Sequence, residues 1–465
     1  MFKWLGKAFS LTWKAIKGEQ ADIISGSLDR AILLLSVPMI LEMAMESLFA
    51  ITDIFFVSRI GVNAVAVVGL TESLLTIVFS IGWGLAMGAT AMVARRIGEK
   101  NPEAASVIAV QAIYAGVAVA AMISVAGLFF SEKILELMGA SHDVIQQGKG
   151  YTKWMLSGNV TIMLLFLING IFRGAGDAAL AMRSLWIANG INIILDPMLI
   201  FGWGPFPEMG VTGAAIATNL GRGCGVLYQL SHFFLGKGIV KIHRKHLPVR
   251  PDIIWSLLKV SAGGTGQFII ASSSWIFLMR IMSQFGSVAL AGYTIAVRII
   301  IFTILPAWGM ANAAATLVGQ NLGAGNPERA EKAVWRTGFV NMIFMVGVMV
   351  LFLSAASILT GIFSDDPAVK KYATDCLHII SAGYVFFSYG MILAQSFNGA
   401  GDTRTPTILN FFGFWMFQIP LAYLLALSVG MGPHGVFWAI VISESVLTLV
   451  TAYIFTRGRW KTVKV

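Results

Sequence analysis

Five polar residues in two apolar segments carry the chemistry that this sequence offers. Glu42, Glu46 and Asp53 lie in the first long apolar run, at separations of four and seven residues that place them on one helix face. Asn192 and Asp196, four residues apart, share a face of a later run. If two carboxylates face each other in a low dielectric, ionising both of them has a high free-energy cost. The pattern therefore predicts that a proton or another cation binds between them.

The same acids also allow ordinary structural roles, and these alternatives stay open at this point. A charged group inside a bilayer is costly, so Asp53 and Asp196 are predicted to be functional. The alternative for both is a hydrogen bond between helices or a position facing water. For Glu46, the functional and the structural role both stay open. Glu42 lies close to Pro38 and to the end of its apolar run, so we expect it to be solvated.

The composition excludes an ordinary soluble protein. Of the 465 residues, 57% are hydrophobic and 12% are charged, whereas soluble domains average about 45–50% and about 25%. The net charge of +10 falls in loops between apolar runs, which argues against binding to nucleic acid. Cys224 and Cys376 lie in apolar runs, and His243 and His246 are expected to lack a carboxylate partner. Neither a disulfide framework nor a metal cofactor is predicted.

Twelve apolar runs, the first beginning near residue 31 and the last ending near residue 456, are each long enough to cross a bilayer. Most Lys and Arg lie in loops on the side of the N-terminus, so we expect both termini in the cytosol and the protein in the inner (plasma) membrane. No cleavable signal peptide is recognised. Residues 1–29 form an N-terminal basic amphipathic segment, which predicts a helix lying on anionic lipid.

The sequence repeats itself at an offset of about 225 residues, which shrinks to 222 towards the end. The matched residues are Gly98, Asn101, Pro102 and Glu103 with Gly323, Asn326, Pro327 and Glu328, and Gly174, Ala175, Gly176 and Asp177 with Gly399, Ala400, Gly401 and Asp402. We therefore divide the chain into a first lobe (30–236), a basic cytosolic loop (237–252) and a second lobe with a short basic tail (253–465). Each lobe holds six helices. This predicts an all-α fold of two parallel six-helix bundles, related by a pseudo-twofold axis along the membrane normal.

The second half keeps the scaffold but not the acids. The residues matched to Glu42, Glu46, Asp53 and Asp196 are Gln267, Ala271, Leu278 and Ile419. The chemistry should therefore be confined to the first lobe.

Four further charged residues lie in or beside apolar runs: Glu72, Arg222, Arg298 and Glu444. An unpaired buried charge is costly, so each is expected to find a partner. Glu72 and Arg298 are predicted to pair between the two lobes.

Several glycine and proline positions predict architecture. Gly213, Ala217, Gly221 and Gly225 form a stripe of small residues that lets a neighbouring helix approach closely. Asp177 and Asp402, each following a Gly-Ala-Gly sequence, are expected to cap the helices after them. Pro306, inside a long apolar run, predicts a kink or an unwound turn.

These features resemble the multidrug and toxic compound extrusion (MATE) transporters over nearly the whole chain. The residues that carry the resemblance are Val37-Pro38-Met39, Thr52-Asp53, Ala94-Arg95-Arg96-Ile97-Gly98, Asn169-Gly170, Arg173-Gly-Ala-Gly-Asp177 and Asn192-Ile-Ile-Leu-Asp196-Pro197. An acid in span 1 with Asn-x-x-x-Asp-Pro in span 5 is typical of the DinF-type branch. The resemblance implies export of small amphipathic, mostly cationic organic compounds by rocking of the two halves.

Carried over residue by residue, the resemblance implies a cation site at Asp53, Asn192, Asp196 and Thr218, with Asn169 beside it in the substrate cavity. The coupling ion would be H⁺ or Na⁺, the latter at those same four residues, with no other cofactor. Glu46 departs from the family pattern, which often has an amide there. We nevertheless add Glu46 to those four residues as a candidate for cation coupling, because an added carboxylate would change the number of protons taken up or favour protons over sodium.

We therefore predict a secondary active transporter, a cation-coupled multidrug antiporter that acts as a monomer. One alternative is a flippase for lipid-linked oligosaccharides, which would need basic residues in its cavity. The other is an intramembrane aspartyl enzyme that uses Asp53 and Asp196 as an acid–base pair.

Overall fold

The computed structural model describes residues 10–19, 22–235, 238–463 and 465, and this part of the chain is helical without a β-strand. The helices of the first half are α1 (Leu28–Ser58), α2 (Val62–Gly98), α3 (Pro102–Leu137), α4 (His142–Ser157), α5 (Asn159–Ala175), α6 (Ala178–Phe201) and α7 (Val211–Phe234). Those of the second half are α8 (Pro251–Ser283), α9 (Ser287–Gly323), α10 (Pro327–Gly361), α11 (Pro367–Ser381), α12 (Tyr384–Ala400), α13 (Arg404–Asn410), α14 (Ile419–Tyr423) and α15 (Pro433–Thr456).

The predicted all-α membrane fold is confirmed. In the described residues, 10 helical segments are long and apolar enough to cross a membrane, and an eleventh is the pair α11 and α12, bent by 62°. A further helix, α7, has 24 residues and occupies the predicted sixth run. It does not pass as apolar because it carries Asn219, Arg222, Gln229 and His232. The least apolar of these helices thus holds several of the polar side chains considered below.

The two Gly-Ala-Gly-Asp turns have the predicted conformation. Gly176 and Gly401 both adopt φ of +88°, a left-handed conformation that favours glycine. Asp177 accepts a hydrogen bond from the backbone N–H of Leu180, and Asp402 accepts one from the N–H of Thr405. The capping role that the sequence predicts is therefore confirmed in both halves.

No unwound turn forms at Pro306, because α9 stays α-helical through this residue, and the kink that the sequence also allows there stays a prediction. Irregular backbone occurs instead around Pro420, where π-helical turns cover Phe411–Gln418 and Leu424–Ser428. Proline lacks an N–H to donate within a helix, and a π-helical turn is one way to accommodate the interruption.

The two halves pack against each other through glycines that occupy matched positions. A methyl group added at Gly98 in α2 would lie 2.0 Å from the carbonyl oxygen of Gln320 in α9. The reciprocal contact joins Gly323 to the carbonyl oxygen of Arg95, at 2.1 Å. Further along these helices, Gly84 packs on α8. The lobes are therefore in close contact where α2 and α9 end.

The chain before α1 and the described C-terminal residues lie at this same side of the molecule. Arg95 and Arg96, at the end of α2, donate hydrogen bonds to the carbonyl oxygens of Val463 and Val465 at 2.7 and 3.1 Å. Arg329 at the start of α10 donates to the carbonyl oxygens of residues 23 and 26. Of the predicted N-terminal segment, residues 10–16 are helical. The aromatic and basic residues before position 10 lie outside the described residues.

We expect Gly98→Ala to lower the midpoint of thermal unfolding in detergent, because the new methyl group would force α2 and α9 apart. Overpacking of this kind costs about 1–3 kcal/mol. The control is Gly347→Ala, since nothing lies within 4 Å of a methyl group at that helical glycine. Equal midpoints for the two variants would show that the crossing of α2 and α9 is not tightly packed.

Candidate ion and substrate site

Three of the predicted site residues form a buried cluster between α6 and α7. The side-chain amide of Asn192 donates to Asp196 Oδ1 at 3.3 Å and to Thr218 Oγ1 at 3.1 Å. All three side chains are buried, and Asp196 is fully inaccessible to solvent. Asp196 Oδ2 and Asn192 Oδ1 have no hydrogen-bond partner. Asp196 also forms no ion pair with a basic residue in the described chain. These two oxygens therefore offer a place for a proton or a cation.

Small residues bring α7 close enough to form this cluster. A methyl group at Gly221 would lie 2.4 Å from the carbonyl oxygen of Ala188, and one at Gly213 would lie 2.5 Å from that of Leu199. The stripe of small residues predicted for this run therefore has its expected packing role. Thr218 lies between these two contacts and so faces α6.

Asp53 projects from α1 towards the same region. It is half-buried and forms no hydrogen bond or ion pair with a described side chain. Its charge lies within electrostatic range of both Asp196 and Arg222. The structure thus brings together the two carboxylates that the sequence singles out, one on α1 and one on α6.

Glu46, two turns before Asp53 on α1, forms an ion pair beside the cluster. Its Oε1 lies 3.2 Å from Arg222 Nη2, and its Oε2 accepts a hydrogen bond from the side chain of Asn189 at 3.0 Å. The guanidinium of Arg222 is also packed on two aromatic rings, at 5.1 Å from Phe49 and 5.2 Å from Phe166. Arg222 therefore finds the partner that the sequence analysis expects.

The expectation that Glu42 is solvated is wrong. Glu42 is 1% exposed, and its Oε1 lies 2.7 Å from Nη1 of Arg173 on α5. Asn169, one turn earlier on α5, donates a hydrogen bond to the same oxygen at 3.0 Å. The proximity of Glu42 to Pro38 gives no indication of this, because the charge that stabilises the buried carboxylate comes from a distant part of the chain.

Asn169 belongs to this second network and has no hydrogen bond to Asp196 or Asn192. Its Oδ1 accepts hydrogen bonds from Ser184 Oγ and Gln229 Nε2, both at 2.7 Å. Ser184 and Gln229 are fully buried and escaped the sequence analysis. The sequence could have indicated these two residues only by their position on the same helices. Ser184 lies two turns before Asn192 on α6, and Gln229 lies three turns after Thr218 on α7.

The second lobe holds an uncharged version of the Glu42–Arg173 pair. At the repeat offset, Glu42 matches Gln267 and Arg173 matches Asn398. The side chains of Gln267 and Asn398 exchange two hydrogen bonds, at 2.9 and 3.1 Å. The same helix contact is therefore made by an ion pair in one half and by two amides in the other.

Two of the other predicted partnerships fail. Glu72 and Arg298 are both exposed, and no ion pair within 4.0 Å joins them among the described residues. Glu444 likewise has no hydrogen-bond or ion-pair partner in the described chain. The repeat explains this: Glu444 matches Arg222 at the offset of 222, whereas the match of Glu46 is Ala271.

The histidine loop also differs from expectation. His246 is buried, and its Nε2 lies 2.7 Å from Oε2 of Glu103 at the start of α3. The prediction that this histidine lacks a carboxylate partner is therefore wrong. Even so, no group of three His, Cys, Asp or Glu in the described residues could hold a metal ion.

An aromatic surface connects the two lobes near the Arg222 side chain. Phe166 contacts Phe79 and Trp83 edge-on, each at a ring-centroid distance of 6.1 Å. Trp83 in turn lies 4.8 Å from Phe268 of α8, and Phe268 lies 6.0 Å from Trp308 of α9. Trp83 is 37% exposed, so part of this surface is open. Flat apolar cations bind well to such faces.

The donor set of the cluster suits a small hard cation or a proton. Asp196, Asn192 and Thr218 present carboxylate, amide and hydroxyl oxygens, with Asp53 nearby, and hard cations prefer oxygen ligands. The two unpartnered oxygens leave acceptor capacity for such an ion. This arrangement can therefore bind and release a positive charge between α1, α6 and α7.

A family model and curated sequences show which known proteins this chain is similar to. A family model, MatE, matches residues 38–198 and 265–424. Among curated proteins, the chain is 26% identical over 433 residues to a probable multidrug resistance protein NorM of Thermotoga maritima, which covers 92% of each chain. It is 24% identical over 428 residues to the multidrug export protein MepA of Staphylococcus aureus, covering 91% of this chain and 93% of that one. An FAD transporter of Shewanella oneidensis is 25% identical over 445 residues, which are 94% of this chain and 97% of that one.

Solved structures resemble the whole molecule. A MATE protein in complex with MaL6 aligns with a TM-score of 0.89 at 27% identity, covering 95% of this chain and 98% of that chain. The outward-facing conformation of a multidrug resistance MATE family transporter gives the same TM-score, identity and coverage.

Proposed function

The chain belongs to the MatE family of membrane transporters, and from this premise we propose that it exports small amphipathic organic cations in exchange for protons or sodium ions. Its relatives include a probable multidrug resistance protein and a multidrug export protein, so the chain is a multi-pass membrane transporter and not an enzyme. The intramembrane aspartyl enzyme is therefore excluded. The coupling ion, the cationic character of the substrates and the monomeric state belong to the proposal, as does membership of the DinF-type branch.

A single observation carries the proposal of ion coupling. Asp196 Oδ2 and Asn192 Oδ1 are buried without a hydrogen-bond partner, while the charge of Asp53 lies close by. Unpartnered buried oxygens also occur at Glu42 and Gln229, but Arg173 balances the charge of Glu42, and Gln229 is neutral. Asp196, in contrast, is a buried carboxylate without an ion pair to a described residue, so a bound proton or cation would balance its charge. This favours Asp53, Asn192, Asp196 and Thr218 as the residues that bind the coupling ion.

The proposed exchange follows from competition for negative charge. An ion entering from outside binds at Asp53 and Asp196 and weakens the attraction for a cationic substrate. When the cavity opens inwards, the ion leaves and the carboxylates attract the next substrate. Such a ligand shifts an equilibrium between two conformations only by its difference in affinity for them, and competition for the same carboxylates provides that difference.

The lobe contacts support a direction for this cycle. The halves pack together where α2 and α9 end, beside the chain before α1 and the described C-terminal residues, and Glu72 and Arg298 on the opposite parts of these helices are exposed. We place the termini in the cytosol and the protein in the inner (plasma) membrane, which makes this conformation outward-facing. It is then the state that accepts the ion and releases the substrate.

The flippase for lipid-linked oligosaccharides is less well supported. Diphosphate would need free basic side chains in the cavity, but Arg222 is buried and paired with Glu46. Of the basic residues considered above, only Arg298 is exposed.

The test is transport in liposomes. Purified protein is reconstituted, and movement of ethidium is followed under an imposed pH gradient and then under a sodium gradient. The proposal predicts movement under at least one gradient and none without a gradient. If ethidium and two other organic cations move under neither, the proposed function is wrong.

A further inference from the structure

The ion pair of Glu46 and Arg222 lies beside the proposed ion site and has no role in the exchange described above. Arg222 follows Thr218 by one turn of α7, and Glu46 precedes Asp53 by two turns of α1. The pair thus connects the same two helices that carry Asp53 and Thr218. The pair therefore places the permanent positive charge of Arg222 next to the proposed site of a mobile cation.

Arg222 is held in place by few polar contacts. It is 3% exposed, and its only hydrogen bond to a described residue runs from Nη2 to Glu46 Oε1, at 3.2 Å. Its Nε and Nη1 atoms have no hydrogen-bond partner and face an environment of aromatic rings. A guanidinium presents five N–H donors in a rigid fork. This one therefore keeps donor capacity for a second carboxylate.

A second carboxylate is within reach of its charge. Asp53 follows Glu46 by seven residues on the same face of α1, so it lies on the helix face that Arg222 contacts. It lacks any hydrogen bond to a described side chain and lies within electrostatic range of Arg222. Glu46, in contrast, is fixed from both sides, by Arg222 at Oε1 and by Asn189 at Oε2. The guanidinium is thus drawn towards a positioned carboxylate and away from Asp53.

We propose that Arg222 is a tethered counter-ion of the transport site, and that Glu46 is a positioning residue that holds it away from Asp53. This inference rests on the proposed function. With Glu46 in place, Asp53 and Asp196 stay available to the mobile ion. Without the charge of Glu46, the guanidinium pairs with Asp53 and competes with that ion.

The second lobe supports a role linked to the ion site. There the match of Glu46 is Ala271 and the match of Arg222 is Glu444, so neither member of the pair is kept. The matches of Asp53 and Asp196 are apolar as well. In contrast, the Glu42–Arg173 contact persists in the second lobe as an amide pair. The Glu46–Arg222 pair therefore occurs together with the ion site, as a positioning role requires and general packing does not.

The test measures the ion concentration that gives half-maximal ethidium transport, with protons or sodium, whichever ion drives the wild-type protein. We expect Glu46→Gln to raise this concentration by about tenfold or more, because close charge pairs couple by more than the equivalent of a tenfold change. The double variant Glu46→Gln/Arg222→Met, which lacks both charges, is expected to return within about threefold of wild type. Glutamine has nearly the shape of glutamate, and the proposal gives Arg222 a new counter-charge at Asp53, so folding should be retained. A single symmetric size-exclusion peak checks this.

Glu444→Gln serves as the matched control, since it removes a membrane-embedded carboxylate from the position equivalent to Arg222 in the other lobe. Its half-saturating ion concentration should equal that of wild type. If the methionine variant fails to fold, Arg222→Gln replaces it in the double variant. This inference is overturned if Glu46→Gln has the half-saturating ion concentration of wild type, or if the double variant is as impaired as Glu46→Gln. In either case the proposed function stands as long as the wild-type protein transports ethidium. A wild-type protein that transports nothing would instead contradict the proposed function.

Discussion

Arg173→Met is expected to reduce the free energy of unfolding by about 3–5 kcal/mol, the range found when one member of a buried ion pair is removed. Glu42 is 1% exposed and lies 2.7 Å from the Arg173 guanidinium, so this change would leave a carboxylate without its counter-charge. Asn169 alone would still donate a hydrogen bond to it. The measurement is the midpoint of thermal unfolding in detergent, compared with wild type.

The second lobe supplies the matched control for this prediction. In Glu42→Gln/Arg173→Asn, the ion pair is replaced by the two amides that occupy the equivalent positions at Gln267 and Asn398. Replacing both partners by neutral groups avoids an unpaired buried charge. The double variant should therefore unfold close to the wild-type midpoint. If it is as unstable as Arg173→Met, or if Arg173→Met matches wild type, the pair does not stabilise the fold in the way described.

Asp196→Asn is expected to abolish gradient-driven ethidium transport, with a loss of at least about a hundredfold, because one charge-assisted ion contact contributes several kcal/mol in a dry site. Asparagine fits the same space but cannot exchange a proton or supply a negative charge. The measurement is the initial rate of ethidium movement in liposomes. Asp143→Asn, at an exposed position, is the control and should transport at the wild-type rate.

Folding of Asp196→Asn must be verified separately from its transport. Its unfolding midpoint should stay near that of wild type, because Asn192 can still donate to the new amide oxygen. Transport at more than a tenth of the wild-type rate would show that Asp196 is not required for coupling.

Local periodicity is sufficient to predict that Asn192 and Asp196 lie together. Asn192 and Asp196 are four residues apart on one helix, so their shared face follows from helix geometry alone. The apolar runs and the two glycine turns are also local features. The structure confirms the turns, and in the described residues it gives 10 to 11 segments apolar enough to cross a membrane, with α7 as a further helix. The position of Thr218 beside them came from family resemblance, and the structure explains it by the close approach of α7 at Gly221.

Long-range pairing could not be predicted in the same way. The buried environment of Glu42 depends on Arg173, 131 residues later, and nothing in the local pattern shows that the two helices meet there. The same holds for Glu46 with Arg222, and for His246 with Glu103. The error at Glu444 has a different origin, since the repeat places alanine where its partner would be. Which charges meet is decided by helix packing, which the sequence alone does not specify.

We propose that the coupling ion and the organic cation compete for Asp53 and Asp196. The most direct measurement is the affinity of purified protein for ethidium, determined at increasing NaCl concentration and at decreasing pH. Binding linkage requires that an ion which lowers ethidium affinity is itself displaced by ethidium. Competition predicts that the affinity of the wild-type protein for ethidium falls at least about tenfold as the concentration of one of the two ions rises. In Asp53→Asn, the affinity for ethidium should no longer depend on that ion. An ethidium affinity that is unchanged by both sodium and protons would contradict it.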